Sequence, residues 1–543
     1  MDLVVWKMDS LSLARSYEVM EATPRSAQPA LRQSKSNGTC SQLPHALSDS
    51  NIPNDKMTSP EVLENQSQRI NSIRNPADWP PWRKWVLTAL AVSATFTCTL
   101  NGTMITVAHE TISEKFDVDD EHFPNTYWPV ASWTIGGGLM CLIVLPLLED
   151  LGSRKTFLCT YAVFFAFVIP QALATNYATL IVTRFFAGGC AAVLSNTAVS
   201  VIGNIWEGER ARTLPVACWI TAYLAGPSMG PVIGGAIYAH LSWRWLSYFQ
   251  LILYGTMFPV YWLLFVETRQ SVILRVRKSN PKGEVSTRQQ QLSDHRPTLD
   301  LLIRSIKRPL VMLFTEPVIL SMTLWNSFMI GIVFLFTQST EIVFHEVYGW
   351  TAAQCGYIQA AVVLGECVGL FGSFLSARIY FASAKNNHDN PGVPVPESRL
   401  YLSAFGSLVG VMGGMFVYAW TSYPHLPWIA PAIGLAMVGC GINIVITAIA
   451  DYVVDSYTAY AASAIAGVLL VENLFAAFLP MAAQAMYRTL GVHWASTVIA
   501  LLTLVVSIMP LCLIVWGKRI RVRSPFMREA ALAARTQGES RTP

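Results

Sequence analysis

Long apolar stretches, separated by short polar segments, recur between residues 85 and 516 of this 543-residue chain. An apolar stretch of about 20 residues is long enough to cross a bilayer as a helix. Helices are expected because lipid cannot satisfy exposed backbone groups. The pattern predicts twelve membrane spans, at residues 85–107, 126–148, 157–174, 178–205, 215–239, 245–266, 317–338, 352–380, 401–420, 428–450, 460–486 and 494–516.

The polar segments divide these spans into two sets of six. The longest internal polar segment, residues 267–316, contains ten basic residues. Two six-helix halves joined in this way are common among secondary transporters. We therefore predict an all-α membrane protein with a disordered N-terminal tail (1–84), a first six-helix bundle (85–266), a basic central loop (267–316), a second six-helix bundle (317–516) and a C-terminal tail (517–543).

Basic residues are distributed unevenly between the two sides of the membrane. If the N-terminus is cytosolic, 34 of the 38 lysines and arginines fall in cytosolic segments and three fall on the outer side. Short loops rich in Lys and Arg remain in the cytosol. The distribution predicts that both termini and the central loop are cytosolic, and we expect the protein in the plasma membrane.

The composition excludes several classes of protein. Only 13% of the residues are charged, about half the share in an average soluble domain, and the mean hydropathy is +0.39. A water-soluble enzyme, a nucleic-acid binder and a disordered scaffold are therefore excluded. The polar segments contain no nucleotide-binding loop, metal-ligand cluster or nucleophile motif, so we expect no catalytic residue, no cofactor and no metal.

The loop after the second span has a recognisable pattern, P-L-L-E-D-L-G-S-R-K at residues 146–155. It resembles the loop motif of the major facilitator superfamily, although Ser153 replaces the first basic residue. A glycine permits a tight turn between two helices, and an acid at a helix end can pair with an arginine. We expect a cytosolic gate formed by Glu149, Gly152, Arg154 and Lys155.

The fifth span contains G-P-S-M-G-P-V-I-G-G at residues 226–235. This resembles, without a mismatch, the GxxxGPxxGG motif associated with antiporters of that superfamily. Glycines spaced every four residues share one helix face and let another helix approach closely, and prolines remove backbone donors and bend the helix. We expect a bent, tightly packed span that seals the passage against ion leak, formed by Gly226, Pro227, Gly230, Pro231, Gly234 and Gly235.

Motifs in the second half extend the resemblance: Y-G-W at 348–350, P-E-S-R-L at 396–400, W-I-A-P at 428–431 and D-S-Y-T-A-Y-A-A-S-A at 455–464. Over about residues 80–525 the chain resembles the fungal twelve-span drug:proton antiporters. The resemblance implies a monomeric exporter of small amphipathic organic molecules, such as toxic secondary metabolites or xenobiotics, driven by protons through alternating access. Its expected partners are the substrate, protons and the lipid bilayer, without nucleic acid.

Three charged residues inside spans are the candidates for proton coupling. Arg184 begins R-F-F-A-G-G, which resembles the intramembrane arginine motif of the superfamily and implies a proton relay; the alternative is a structural arginine held by backbone carbonyls. Glu366 and Glu472 lie at the centres of spans eight and eleven. Desolvation disfavours an ionised carboxyl, which suits a proton carrier, but a protonated glutamate can also simply tie helices together.

Polar side chains in spans one, four, seven and ten are the candidates for contact with the substrate, because in the fold of the superfamily these spans surround the central cavity. Each of them could equally serve as a link between helices. The candidates are Asn101, Thr103, Asn196, Asn326, Gln338 and Asn443.

Two alternative functions stay open at this point. One is uptake of a small organic solute, by proton symport or by facilitated diffusion, against which the antiporter motif argues. The other is a transporter-like receptor that signals through its 84-residue tail. Deletion of the tail distinguishes the receptor from a pump, since a pump should keep working without it.

Overall fold

A computed structural model describes residues 75–118, 124–148, 151–270, 272–273, 298–387, 394–457, 460–524 and 526–527. These residues belong to one compact unit. Regular structure in the described part is helical, without strands. Of the predicted disordered tail, residues 1–84, the part up to residue 74 lies outside the described residues.

In the described residues, seven α-helices form the first half. They are α1 (Pro81–Thr103), α2 (His109–Phe116), α3 (Trp128–Leu148), α4 (Ser153–Ala172), α5 (Tyr177–Ile205), α6 (Glu209–Tyr238) and α7 (Arg244–Leu264). Helix α2 is a short helix that follows the first span, and 3-10 turns at Pro76–Asp78, Thr106–Ala108 and Asn125–Tyr127 flank these elements.

The second half begins with a helix that precedes its first span. The helices are α8 (Thr298–Thr315), α9 (Pro317–Tyr348), α10 (Ala352–Tyr357), α11 (Ala360–Ser383), α12 (Leu400–Phe405), α13 (Gly414–Thr421), α14 (Ile429–Tyr457) and α15 (Ala461–Arg523). A π-helix at Gly406–Gly413 lies between α12 and α13, and 3-10 turns occur at Ala384–Asn386 and Pro396–Arg399.

The number of spans agrees with the sequence pattern. Ten helical segments in the described part are long and apolar enough to cross a membrane. Helix α15 contains two of the predicted spans, because Gly491 has a φ of 76° and breaks the helix there. Helix α7 is less apolar, but its 21 residues reach about 31 Å. The predicted all-α architecture with twelve spans is confirmed.

Three of the expected boundaries between tails, central loop and bundles differ in the structure. Helix α1 begins at Pro81, inside the segment assigned to the tail, and the second arm of α15 continues to Arg523. Helix α8 occupies the end of the predicted central loop. It is helical because Met312 and Leu313 are buried and Gly467 of α15 lets the Pro309 carbonyl approach closely. Charged residues at positions 300, 304, 307 and 308 interrupt the apolar residues of α8, so a search for continuous apolar stretches does not find this helix.

Two contacts join the halves along their length. Helix α6 packs against α10 and α11, and α3 packs against α15. We call the side of the membrane on which α1 begins the near side, and the opposite side the far side. Helix α6 therefore runs from the near side at Glu209 to the far side at Tyr238, with the second half beside it.

Candidate functional site

Glu366 of α11 lies at the contact between the two halves. Its side chain is fully buried, and its Oε1 accepts a hydrogen bond of 2.8 Å from Ser228 Oγ of α6. The other carboxyl oxygen, Oε2, is buried and has no hydrogen-bond partner among the described residues. Buried polar atoms are normally paired, so this oxygen is free to hold a proton or a cationic group. Ser228 lies inside the glycine and proline motif of α6, at a position for which the motif predicts no role.

Glu472 of α15 lies at the same contact, with 4% of its surface exposed. Its Oε1 accepts a bond of 2.6 Å from the Tyr223 hydroxyl of α6. Its Oε2 accepts a bond of 2.5 Å from Asn326 Nδ2 of α9. The carboxyl therefore links one helix of the first half to two helices of the second half.

The hydrogen bonds around Glu472 extend into the first half. The Tyr223 ring stacks on Trp219 at 5.7 Å between ring centroids, and Trp219 Nε1 donates a bond of 2.9 Å to Thr95 Oγ1 of α1. Asn443 of α14 adds another bond between the halves, 2.9 Å from its Nδ2 to Thr221 Oγ1. Thr221, Tyr223 and Ser228 thus give α6 three polar contacts with the second half, which we call the α6 interface.

Arg184 lies apart from the α6 interface. The guanidinium is fully buried and donates to the carbonyls of Pro129, Asn101 and Gly102. These bonds fasten α5 to α1 and α3. Among the described residues its hydrogen bonds go to backbone oxygens and not to Glu366 or Glu472. Such partners are those expected of a structural arginine held by backbone carbonyls.

The glycines of the motif in α6 face two neighbours. Gly226 and Gly230 lie against the hydroxyls of Thr99 and Thr103 of α1, so closely that a Cβ would overlap them. A Cβ at Gly234 would come 2.6 Å from the Met104 carbonyl, and one at Gly235 would come 2.7 Å from the Ala353 carbonyl of the second half. The motif therefore packs α6 against α1 and, at its far end, against α10.

The prolines of the motif explain the position of Thr103. In a helix, the carbonyl of residue 227 would accept from the N–H of residue 231, but Pro231 has no N–H. Thr103 Oγ1 donates a bond of 2.7 Å to that carbonyl instead. The bond replaces the missing helical partner, because a buried carbonyl needs one, and it fixes α1 to α6.

The other candidates for contact with the substrate are also bonded to neighbouring groups. Asn101 Nδ2 donates a bond of 2.7 Å to Gln250 Oε1. Asn196 Nδ2 lies 3.2 Å from Cys141 Sγ and 2.9 Å from the Ala192 carbonyl. Gln338 differs, since it lines a small pocket on the far side. Asn326 and Asn443 belong to the contacts between the halves described above.

The near-side loop is built around an acid that the motif does not contain. Glu149 lies outside the described residues. Gly152 has a φ of 93°, which a residue with a side chain rarely adopts. Glu267, just beyond α7, accepts bonds of 3.0 Å from the backbone N–H groups of Ser153 and Arg154 and so caps α4. Sequence reasoning missed this role, and its only signal was an acid directly after the sixth span.

The basic residues of the same loop take different positions. Arg154 Nη2 donates a bond of 3.1 Å to the Trp262 carbonyl of α7. Lys155 is exposed. The described part of the loop therefore holds α4 against α7 within the first half.

A charged cluster in the second half takes part in the near-side contact between the halves. Arg399 donates bonds of 2.6 Å to Asp455 and Asp451 of α14, and its guanidinium lies 3.7 Å from the centroid of the Tyr380 ring. The Tyr380 hydroxyl donates a bond of 3.3 Å to Glu209 at the start of α6. The motifs at 396–400 and 455–464 had supplied Arg399 and Asp455, but neither their pairing nor Glu209 was predicted.

Comparison with known proteins identifies the family of this helical membrane protein. The family model described as Major Facilitator Superfamily matches residues 90–471. The chain belongs to the major facilitator superfamily. It is a multi-pass membrane transporter and not an enzyme.

Two fungal relatives are similar to the chain in sequence, and one solved structure is similar to it in fold. It is 29% identical to the "Citrinin biosynthesis cluster MFS transporter mrr1" of Monascus ruber, over 84% of this chain and 91% of that one. It is 30% identical to "Efflux pump atB" of Aspergillus terreus, over 75% of this chain and 88% of that one. The human organic anion transporter MFSD10 shares the fold, with a TM-score of 0.54, 14% identity, and coverage of 80% of this chain and 100% of that chain.

Proposed function

We propose that this protein exports small amphipathic organic molecules, of the secondary-metabolite or xenobiotic type, in exchange for protons. The fungal relatives named as an efflux pump and as a transporter of a biosynthesis cluster support export. The observation that carries the proposal is that Glu366 and Glu472, the buried glutamates inside spans eight and eleven, both bond to α6, the helix with the antiporter motif.

The α6 interface gives proton coupling a physical route. Alternating access moves one half against the other, so the bonds from Glu366 to Ser228 and from Glu472 to Tyr223 must break or re-form during a cycle. A protonated carboxyl is neutral and leaves its partner at less electrostatic cost than an ionised one. Glu366 is the stronger carrier candidate, because its Oε2 is buried without a partner.

The arginine has a different role in this proposal. Its bonds to three carbonyls of α1 and α3 make Arg184 a structural element of the first half. We therefore propose Glu366 and Glu472 as the proton carriers, and Arg184 as a group that holds the first half in shape.

The distribution of basic residues indicates the orientation of the protein in the membrane. The near side is the cytosol, because 34 of 38 lysines and arginines lie in segments on that side. Both termini are then cytosolic, and Glu209, Tyr380 and Arg399 close the cytosolic end of the passage. The functional unit in this proposal is a monomer in the plasma membrane.

The test is accumulation of a panel of dyes and toxic metabolites in a host without its own pumps, with and without a protonophore. We expect reduced accumulation that the protonophore restores. Increased accumulation would refute export and indicate uptake.

Variants at the glutamates test the coupling. Glu366→Gln should abolish protonophore-sensitive efflux at unchanged surface expression, whereas Glu346→Gln, an exposed glutamate of α9, should transport normally. Normal transport by Glu366→Gln would eliminate Glu366 as a carrier.

A further inference from the structure

Three potential metal ligands from different halves meet on the far side. His109 and Glu110 are the first residues of α2, and Glu341 lies near the end of α9. One ligand atom from each of the three lies within 4.8 Å of the other two. His109 Nδ1 is 3.4 Å from Glu341 Oε2. The first half thus supplies two ligands and the second half supplies one.

The donor set suits a divalent transition metal. Histidine nitrogen and carboxylate oxygen are both zinc ligands, at about 2.0–2.2 Å from the ion. Tetrahedral coordination at those distances places ligand atoms about 3.4 Å apart, so the three groups need to move inward by about 1 Å. The side chains of His109 and Glu341 are 26% and 20% exposed, which leaves them room for that rotation and leaves an open position for water.

The surroundings of His109 favour binding. His109 Nδ1 is the ring nitrogen that faces the cluster, 3.4 Å from Glu341 Oε2 and 3.0 Å from the Thr106 carbonyl. With the proton on Nε2, Nδ1 holds the lone pair that a metal needs, and its distance from Glu341 matches the separation of tetrahedral zinc ligands. Two further acidic residues lie nearby in the chain and attract cations to this side: Glu114 within α2 and Asp117 directly after it.

We propose that His109, Glu110 and Glu341 bind a divalent transition-metal ion, with Zn²⁺ as the best-fitting one, and that the ion joins the two halves on the far side. An ion held by ligands from both halves stabilises the arrangement in which the far ends of α1 and α9 are close. Inhibition of transport by the ion is a further consequence, which rests on the alternating-access mechanism of the proposed function.

Calorimetric titration of Zn²⁺ into the purified full chain in detergent tests the site without any transport assay. We expect one ion per chain, and at least about a tenfold weaker affinity for Glu341→Gln and for Glu110→Gln. Glu110 is exposed, so its variant should fold even if the Glu341 variant does not. Glu346→Gln is the matched control and should bind Zn²⁺ as the unmodified protein does. Equal affinity in Glu110→Gln and the unmodified protein would overturn the site.

The joining of the halves is tested separately. Zn²⁺ added to the far side should slow transport by the unmodified protein several-fold and should leave Glu341→Gln unaffected. Inhibition of both proteins to the same extent would overturn the role of Glu341 as the ligand from the second half. A failure of the proposed proton coupling would leave the calorimetric result unchanged, so the two proposals can be refuted independently.

Discussion

Replacing Thr103 by valine tests how the two prolines of α6 are accommodated. Thr103 is fully buried, and its hydroxyl donates a bond of 2.7 Å to the Pro227 carbonyl, which has no helical donor because residue 231 is proline. Valine keeps the volume and removes the donor. A buried carbonyl left without a partner costs about 1–3 kcal/mol, while bonds between membrane helices average about 0.6 kcal/mol and reach about 1.7 kcal/mol. We expect Thr103→Val to lower the free energy of unfolding by about 1–2 kcal/mol.

The decisive measurement is a double-mutant cycle with Pro231→Ala. Alanine restores the N–H that donates to the carbonyl of residue 227, so Thr103→Val should cost less than about 0.5 kcal/mol in that background, a coupling of about 1 kcal/mol. The free energy of unfolding is followed by tryptophan fluorescence of the purified protein in mixed micelles. Thr99→Val is the control, because the Thr99 hydroxyl donates to carbonyls of its own helix and its loss should cost little. An equal cost of Thr103→Val in both backgrounds would refute the explanation.

Four further substitutions have expected outcomes. Gly230→Ala should prevent stable folding, since its Cβ would overlap Thr103. Gly203→Ala has open space around its Cβ and should stabilise the helix by up to about 1 kcal/mol. Thermal unfolding of both variants checks this pair. Glu267→Ala should lower stability by about 1–2 kcal/mol through loss of the cap of α4, and an unchanged unfolding midpoint would show that Glu267 is dispensable. Arg399→Lys keeps the charge but cannot hold Asp451 and Asp455 together with the same geometry, so we expect a lower melting temperature, and the same melting temperature would argue against the paired bonds.

The sequence predicts the helices well because lipid leaves the chain few alternatives. A membrane span must satisfy its own backbone, so a long apolar stretch determines a helix almost regardless of its neighbours. Helix α8 was missed because charged residues interrupt its apolar stretch. Its burial also depends on the close contact between Pro309 and Gly467. Pattern alone cannot predict such a contact.

The candidate site was predictable by residue type and not by partner. The positions of Glu366 and Glu472 inside spans marked them as unusual, since charged groups there are costly. Their bonds to Ser228 and Tyr223 depend on how two separate bundles dock. The same holds for Arg184, whose carbonyl partners carry no side-chain signal.

The two commitments of α6 also limit how such a protein can diversify. One face of this helix has no room beyond hydrogen at Gly226 and Gly230, and Tyr223 and Ser228 are engaged by carboxyl groups of the other half. Variation along α6 is therefore confined to its remaining positions. New substrate preferences would have to arise from those positions or from other helices, so that the cargo can change while the contacts of α6 between the halves stay the same.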